Sequence, residues 1–157
     1  MSERQRDQLI GSVEAAFQEA VTYFEGPGAT SGVRVGEWGP VEVLCHFLYW
    51  HEATARGMES VAAGGGPHRV NAPVDDINAR AIARRSGWSI DRLLPEAAGL
   101  QQRLIRATRA LPDLEAVVLV RDDGTRLSGA QRLELIAGHW REHVAELRSA
   151  ESPLSLR

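Results

Sequence analysis

Residues 38–50 read WGPVEVLCHFLYW, which is the most apolar stretch of the chain. Pro40 suits the first turn of a helix, where its missing N–H group costs no hydrogen bond. The apolar side chains continue until Gly64-Gly65-Gly66-Pro67, a combination that ends a helix. The sequence therefore predicts a largely buried helix over residues 40–62, around which the other helices can pack.

Three further long helices are predicted around this one. Apolar residues recur at spacings of three and four over residues 3–24, from about 89 to 110, and from about 128 to 149. A shorter helix is predicted over about 76–85, before the break at Ser86-Gly87. Four long amphipathic helices in a chain of this length indicate an all-α four-helix bundle, with residues 1–157 forming a single domain.

The connection before the last helix has a different pattern. Val117-Val118-Leu119-Val120 is rich in β-branched side chains, and Asp122-Asp123-Gly124 is a turn signal. We therefore expect a short extended or hairpin excursion between Pro112 and Ser128, packed beside the helices and outside the bundle itself.

Composition excludes several classes of protein. The 157 residues carry 18 cationic side chains, all of them arginine, against 21 carboxylates. A chain without lysine has no Schiff-base or P-loop lysine, and a net charge of −3 argues against nucleic acid as a partner. Cys45 is the only cysteine, and no run of 18 apolar residues is present. We expect a cytoplasmic protein without a membrane span.

Three of the five histidines are candidates for one site. His139 and His143 are four residues apart, so their side chains lie about 40° apart on one face of the last helix. That face also carries Ile136 and Trp140, which indicates that it is turned toward the core. His46 lies in the middle of the apolar second helix, where a polar ring needs a partner.

Three imidazoles on two facing helices can supply three neutral nitrogen ligands to a divalent cation and leave a position open for substrate. From the residues alone two alternatives stay open: a core histidine held by a hydrogen bond, and a histidine pair on a solvated helix face. His51 lies about 140° around the helix from His46 and should point elsewhere. His68 falls in a Gly/Pro loop, and Cys45 is interpreted as a packing residue.

Aromatic residues near these histidines are candidates for a substrate pocket. Tyr49, Trp50 and Trp140 would enclose an apolar electrophile beside a metal, although Trp50 and Trp140 are more typical of core packing. Arg141 could bind the carboxylate of a thiol cofactor, the alternative being a plain surface position.

Two motifs resemble those of the DinB-like superfamily. Residues 38–50 resemble its W-x-x-x-x-V-L-x-H-x-x-x-W stretch, and residues 137–147 resemble its final-helix H-x-x-x-H. The resemblance implies a bundle of up-down-down-up order, a metal held by His46, His139 and His143, and a homodimer. Residues 74–80 resemble, more weakly, a helix start of the colibactin-resistance branch.

The superfamily includes mycothiol-dependent maleylpyruvate isomerases together with mycothiol or bacillithiol S-transferases. Its isomerases use His, Glu and His, whereas the position of that Glu is His139 here, so the resemblance favours the three-histidine members. It implies a divalent metal, with Zn or Ni first and Fe or Mn as alternatives, and mycothiol or bacillithiol as a thiol cofactor.

Three functions are consistent with these observations. The first is a metal-dependent, thiol-dependent S-transferase, or its close variant a hydrolase, acting on a small electrophilic or toxic compound. The second is a non-enzymatic stress- or damage-related protein that binds or sequesters a small molecule. The third is a metal-free structural bundle. Metal analysis separates the third from the others, and thiol-dependent turnover separates the first from the second.

Overall fold

Four long helices lie side by side, and a short helix and three short strands occupy the connections between them. The computed structural model describes residues 1–151; the last six residues of the predicted domain, 152–157, lie outside the described residues. The elements in chain order are α1 Glu3–Glu25, α2 Pro40–Ala62, β1 His68–Arg69, α3 Val74–Arg84, α4 Ile90–Ala110, β2 Val117–Val120, β3 Arg126–Ser128 and α5 Gly129–Glu151. A single 3₁₀ turn, Pro27–Ala29, follows α1.

Helix α4 runs antiparallel to α1 and parallel to α2. Arg6, at the start of α1, donates a hydrogen bond of 2.7 Å to the carbonyl oxygen of Leu111, just beyond the end of α4. The guanidinium of Arg103 in α4 donates to Glu59 in the last third of α2 at 2.7 Å. Because α2 and α4 point the same way, the chain must cross the bundle between them, and β1 and α3 lie in that crossover.

Helix α5 runs parallel to α1 and antiparallel to α2. Arg148, near the end of α5, lies 5.2 Å from the ring of Tyr23, near the end of α1. His46, in the first third of α2, lies against His143 in the second half of α5. The four helices therefore follow the up-down-down-up order, as expected, and α5 presents its inner face to the beginning of α2.

A three-stranded sheet covers one end of the bundle. Strands β2 and β3 pair antiparallel through Leu119 and Leu127, which confirms the predicted hairpin. Strand β1 pairs parallel with β2, with His68 opposite Leu119. The interpretation of His68 as a loop residue was therefore wrong. Its two-residue strand is too short to produce a periodic sequence pattern, and it forms because β2 offers a free edge.

The sheet packs against α2 at a glycine. A Cβ atom added to Gly57 would lie 1.9 Å from the carbonyl oxygen of Val118, which is far inside van der Waals contact. Only glycine lets the backbone of β2 approach α2 this closely. Within residues 1–151, no helix is long and apolar enough to cross a membrane.

Candidate functional site

The first candidate ligand, His46, is held on α2 by local sequence. Pro40 occupies the first turn, and the N–H of Gly39 donates to the side chain of Glu42 at 3.4 Å, which fixes the start of the helix. His46 follows almost two turns later and is only 7% exposed. Its ring is therefore placed inside the bundle by a helix whose start is well defined.

The other two candidates lie on the facing helix. His139 and His143 are half-buried on α5, one helical turn apart. Their ring centroids are 6.3 Å apart, and they lie 6.5 Å and 5.3 Å, respectively, from the ring centroid of His46. The structure thus brings together the three histidines that the spacing selected.

The three rings lie slightly farther apart than three imidazoles that bind the same cation. Three imidazoles bound to one ion through nitrogens at about 2.0–2.1 Å have centroids about 5 Å apart. The pair at 5.3 Å is close to that separation, and the two pairs that include His139 are wider. No three His, Cys, Asp or Glu side chains within residues 1–151 lie close enough to hold a metal ion as they stand. Shared ligation therefore requires the His139 ring to rotate inward.

The proton on His46 is placed by an asparagine on α3. The Nε1–H of Trp50 donates to Oδ1 of Asn78 at 2.9 Å, and an indole nitrogen can only donate, so the receiving atom must be the amide oxygen. The Nδ1 of His46 lies 2.8 Å from the same oxygen and must therefore carry a hydrogen and donate it. The Nε2 atom of neutral His46 is left with a free lone pair.

Burial favours the neutral form of all three histidines. It is the largest influence on the pKa of His46, which it lowers to about 4, against the opposing effect of its hydrogen bond to Asn78. Burial also lowers the pKa values of His139 and His143, and the neighbouring His143 lowers that of His139 further. A metal ligand must be deprotonated, so this donor set fits a divalent cation.

Two aromatic rings flank the cluster directly. The ring of Trp38 lies 5.0 Å from that of His46 and 5.8 Å from that of His143. The ring of Phe47 lies 4.9 Å and 5.5 Å from the same two rings. Neither was among the predicted pocket residues, although both lie within the apolar stretch that decides the fold.

The predicted pocket residues occupy three different places. Trp140 is 1% exposed and stacks on Phe47 at 3.7 Å, in a second layer behind the cluster. Trp50 is buried and reaches the cluster through Asn78. Tyr49 lines a separate cleft together with His68.

The other candidates from the sequence lie away from the cluster. His51 is 2% exposed, and its Nε2–H donates to Gln101 on α4 at 2.9 Å. Cys45 is buried, and burial raises the pKa of its thiol to about 11. Arg141 is exposed on the outer face and contacts Ser12 of α1.

A cleft of about 720 Å³ opens beside the cluster. Trp38 and Asn78 line it and also contact His46, so they connect the cleft with the histidines. Asn78 is 7% exposed and lines the cleft; within residues 1–151 no hydrogen bond of its amide NH₂ is found, so its two donors remain available to a ligand. The remaining lining residues include Val35, Glu37, Glu42, Asp75, Ala79, Ile82 and Ala83.

Comparison with known proteins shows the fold. No protein-family model and no curated protein matches the sequence. Two solved structures match with a TM-score of 0.71 and 14% sequence identity: a mycothiol-dependent maleylpyruvate isomerase and a variant of it with one histidine replaced by alanine. The match covers 94% of this chain and 61% of the isomerase chain, so this chain spans about three fifths of that protein. The likeness shows that this chain shares its fold with the matched part of the isomerase.

Proposed function

We propose that this protein is a metal-dependent enzyme that joins a low-molecular-weight thiol to a small electrophile. The observation that supports this most directly is the cluster of three neutral imidazoles between α2 and α5, with ring centroids 5.3–6.5 Å apart. The likeness in fold to a mycothiol-dependent enzyme agrees with it. His46, His139 and His143 would hold the cation.

A divalent cation in such a site would stabilise the thiolate, the deprotonated form of a thiol. The thiolate is the reactive nucleophile. The chain prepares the site before any cation binds. Asn78 holds the hydrogen of His46 on Nδ1 and so keeps Nε2 available as a donor. A hydrogen bond from a ligand's second nitrogen is a common feature of metal sites, because it fixes both the tautomer and the ring orientation.

The aromatic rings exclude water from one side of the histidines. Trp38 covers His46 and His143, and Phe47 is fixed in place by its stacking on Trp140. An apolar electrophile placed against Trp38 would be shielded from hydrolysis while it meets the thiol. The NH₂ group of Asn78 can donate to a polar atom of the same molecule.

The charge of the cleft favours one class of thiol. Glu37 and Asp75 line the cleft, and within residues 1–151 neither forms an ion pair, whereas Glu42 is paired with Arg34. Uncompensated carboxylates repel an anionic ligand. Mycothiol, a sugar-based thiol without carboxylates, therefore suits the cleft better than bacillithiol, whose malate group carries two.

The experiment combines metal analysis with turnover. Protein purified without added metal is assayed for bound metal and for consumption of monobromobimane with mycothiol, with bacillithiol and with no thiol. The variants are His46→Ala and the double variant His139→Ala/His143→Ala. The matched control is His68→Ala, because His68 lies in β1, outside the cluster. We expect near-stoichiometric metal and mycothiol-dependent turnover in the wild type and the control only.

Each other outcome contradicts the proposal in a defined way. Full metal content in the double variant would exclude the three-histidine site. Turnover that needs no thiol would indicate a hydrolase. Tight binding of electrophiles without turnover would indicate a sequestering protein.

A further inference from the structure

Arg132 is a buried cation without a counter-ion. It lies on α5 seven residues before His139, on nearly the same face of the helix and about 10 Å away along the axis. The residue is 3% exposed. Its Nε–H donates to Oγ1 of Thr54 at 3.1 Å, and its guanidinium carbon lies 5.4 Å from the ring centroid of Trp50. None of the ion pairs formed by residues 1–151 includes Arg132.

An arrangement of this kind is costly unless an anion completes it. Buried charges are normally paired, since removal from water is repaid only by an opposite charge and full hydrogen bonding. A guanidinium has five N–H donors, and among residues 1–151 the only acceptor found for them is the neutral hydroxyl of Thr54. Within residues 1–151 no hydrogen bond from its two terminal nitrogens to a protein acceptor is found, so these donors remain available for an anion.

A second guanidinium reinforces the positive charge. Arg121 follows β2 at the start of the hairpin turn, and its Nε atom is buried without a hydrogen-bond partner among the described residues. Burial, and then the charge of Arg121, lower the pKa of Arg132 to about 10. Both arginines also lower the pKa of His139. Hydrogen bonding to Thr125 and, to a smaller extent, the charge of Arg121 lower the pKa of Asp123. However, Asp123 lies on the exposed tip of the turn, where it accepts a hydrogen bond from the backbone N–H of Thr125.

We propose that Arg132, assisted by Arg121, binds a carboxylate group of the small-molecule substrate. A guanidinium presents two parallel N–H donors that match the two oxygens of a carboxylate. The spacing of about 10 Å between Arg132 and His139 along α5 suits a short-chain acid whose reactive carbon reaches the histidines. That the bound molecule is the substrate of the reaction rests on the proposed function. That Arg132 binds a carboxylate does not depend on it.

The test is a carboxylate titration followed by thermal unfolding of the protein as purified, with its metal content measured in the same sample. The probes are propionate and succinate, with inorganic phosphate as a competing anion and sodium chloride at matched ionic strength. The variants are Arg132→Met and Arg132→Lys. The first removes the charge at similar volume, and the second keeps the charge but lacks the two parallel N–H donors of a guanidinium. The control is Arg109→Met, an exposed arginine with a surface partner only.

We expect a saturable rise in Tm with the carboxylates for the wild type and the Arg109→Met control. Affinity should fall by about 10-fold to 100-fold in Arg132→Met and by less in Arg132→Lys. Without ligand, Arg132→Met should unfold at the same temperature or higher, because an unpaired buried charge is removed. If Arg132→Met does not fold, the carboxylate affinity of Arg132→Lys relative to that of the wild type tests the inference instead.

Two results would overturn the inference: carboxylates that act no more strongly than chloride on the wild type, or unchanged carboxylate affinity in both Arg132 variants. Preferential binding of phosphate would overturn the assignment to a carboxylate. Failure of the proposed function is seen separately, as absent metal or absent thiol-dependent turnover, whereas the carboxylate affinity is obtained from the shift in Tm alone.

Discussion

The Nδ1–H of His46 donates a hydrogen bond of 2.8 Å to Oδ1 of Asn78, across the contact between α2 and α3. The same oxygen accepts the Nε1–H of Trp50 at 2.9 Å, so a single amide oxygen connects a candidate metal ligand with a core tryptophan. Helix α3, which lies in the crossover between α2 and α4, therefore determines which nitrogen of His46 is free to bind.

Replacing Asn78 should weaken metal binding without unfolding the bundle. In Asn78→Ala, His46 loses the acceptor that fixes its tautomer, and loss of such a partner typically costs about 10-fold to 100-fold in metal affinity. Asn78→Asp should retain most of the affinity, since a carboxylate also accepts from both donors. Competition with a chromogenic chelator measures the affinity. Asn71→Ala, an exposed loop position, is the control, and equal affinities for Asn78→Ala and Asn71→Ala would contradict the assignment.

Bound metal should be lost on acidification below the ordinary histidine range. Each ligand must be neutral to bind, and burial lowers the pKa values of His46, His139 and His143, so protons compete only below about pH 6.5. The stabilisation that metal adds is then present at pH 7 and vanishes as the pH falls. Thermal unfolding with and without chelator from about pH 8 to 4 measures this. A chelator effect undiminished at the acid end would mean that the ligands are not imidazoles.

His51 should make the bundle itself acid-sensitive. Burial lowers its pKa to about 4 in the folded state, against about 6.5 in the unfolded chain. The unfolded state therefore takes up the proton first, and stability that is complete above pH 6.5 is lost as the pH falls to 4, by up to about 3 kcal/mol. Urea unfolding of wild type and His51→Leu in the presence of chelator measures the difference. Parallel pH profiles for the two proteins would count against it.

Gly57→Ala should destabilise the protein by more than about 2 kcal/mol, because the new methyl group would meet the carbonyl oxygen of Val118 and the backbone of β2 would have to move. Gly11→Ala is the matched control. It is an exposed helical position with no atom within 4 Å, where alanine should stabilise by about 0.5–1 kcal/mol. Denaturant unfolding of both variants measures the changes. If Gly57→Ala were as stable as Gly11→Ala, β2 would not pack against α2 as described.

The helices and the shared inward face of the three histidines could be predicted from the sequence, because both follow from the spacing of residues close together in the chain. The predicted second helix, residues 40–62, coincides with Pro40–Ala62, since its proline and glycine boundaries act within a few residues. The angle between His139 and His143 follows from 3.6 residues per turn, whatever lies opposite. The same arithmetic separated His51 from His46, and the structure places His51 against Gln101 on α4.

The partners of these residues were decided only by tertiary structure. Asn78 reaches His46 over 32 residues of sequence, and Arg132 reaches Thr54 over 78. Such contacts depend on how far each helix is rotated and shifted against its neighbour, which no single spacing encodes. The same is true of β1, which pairs with a strand formed about 50 residues later. Periodicity along the chain determined which side chains face the core of this protein, and packing between the helices determined which of them meet.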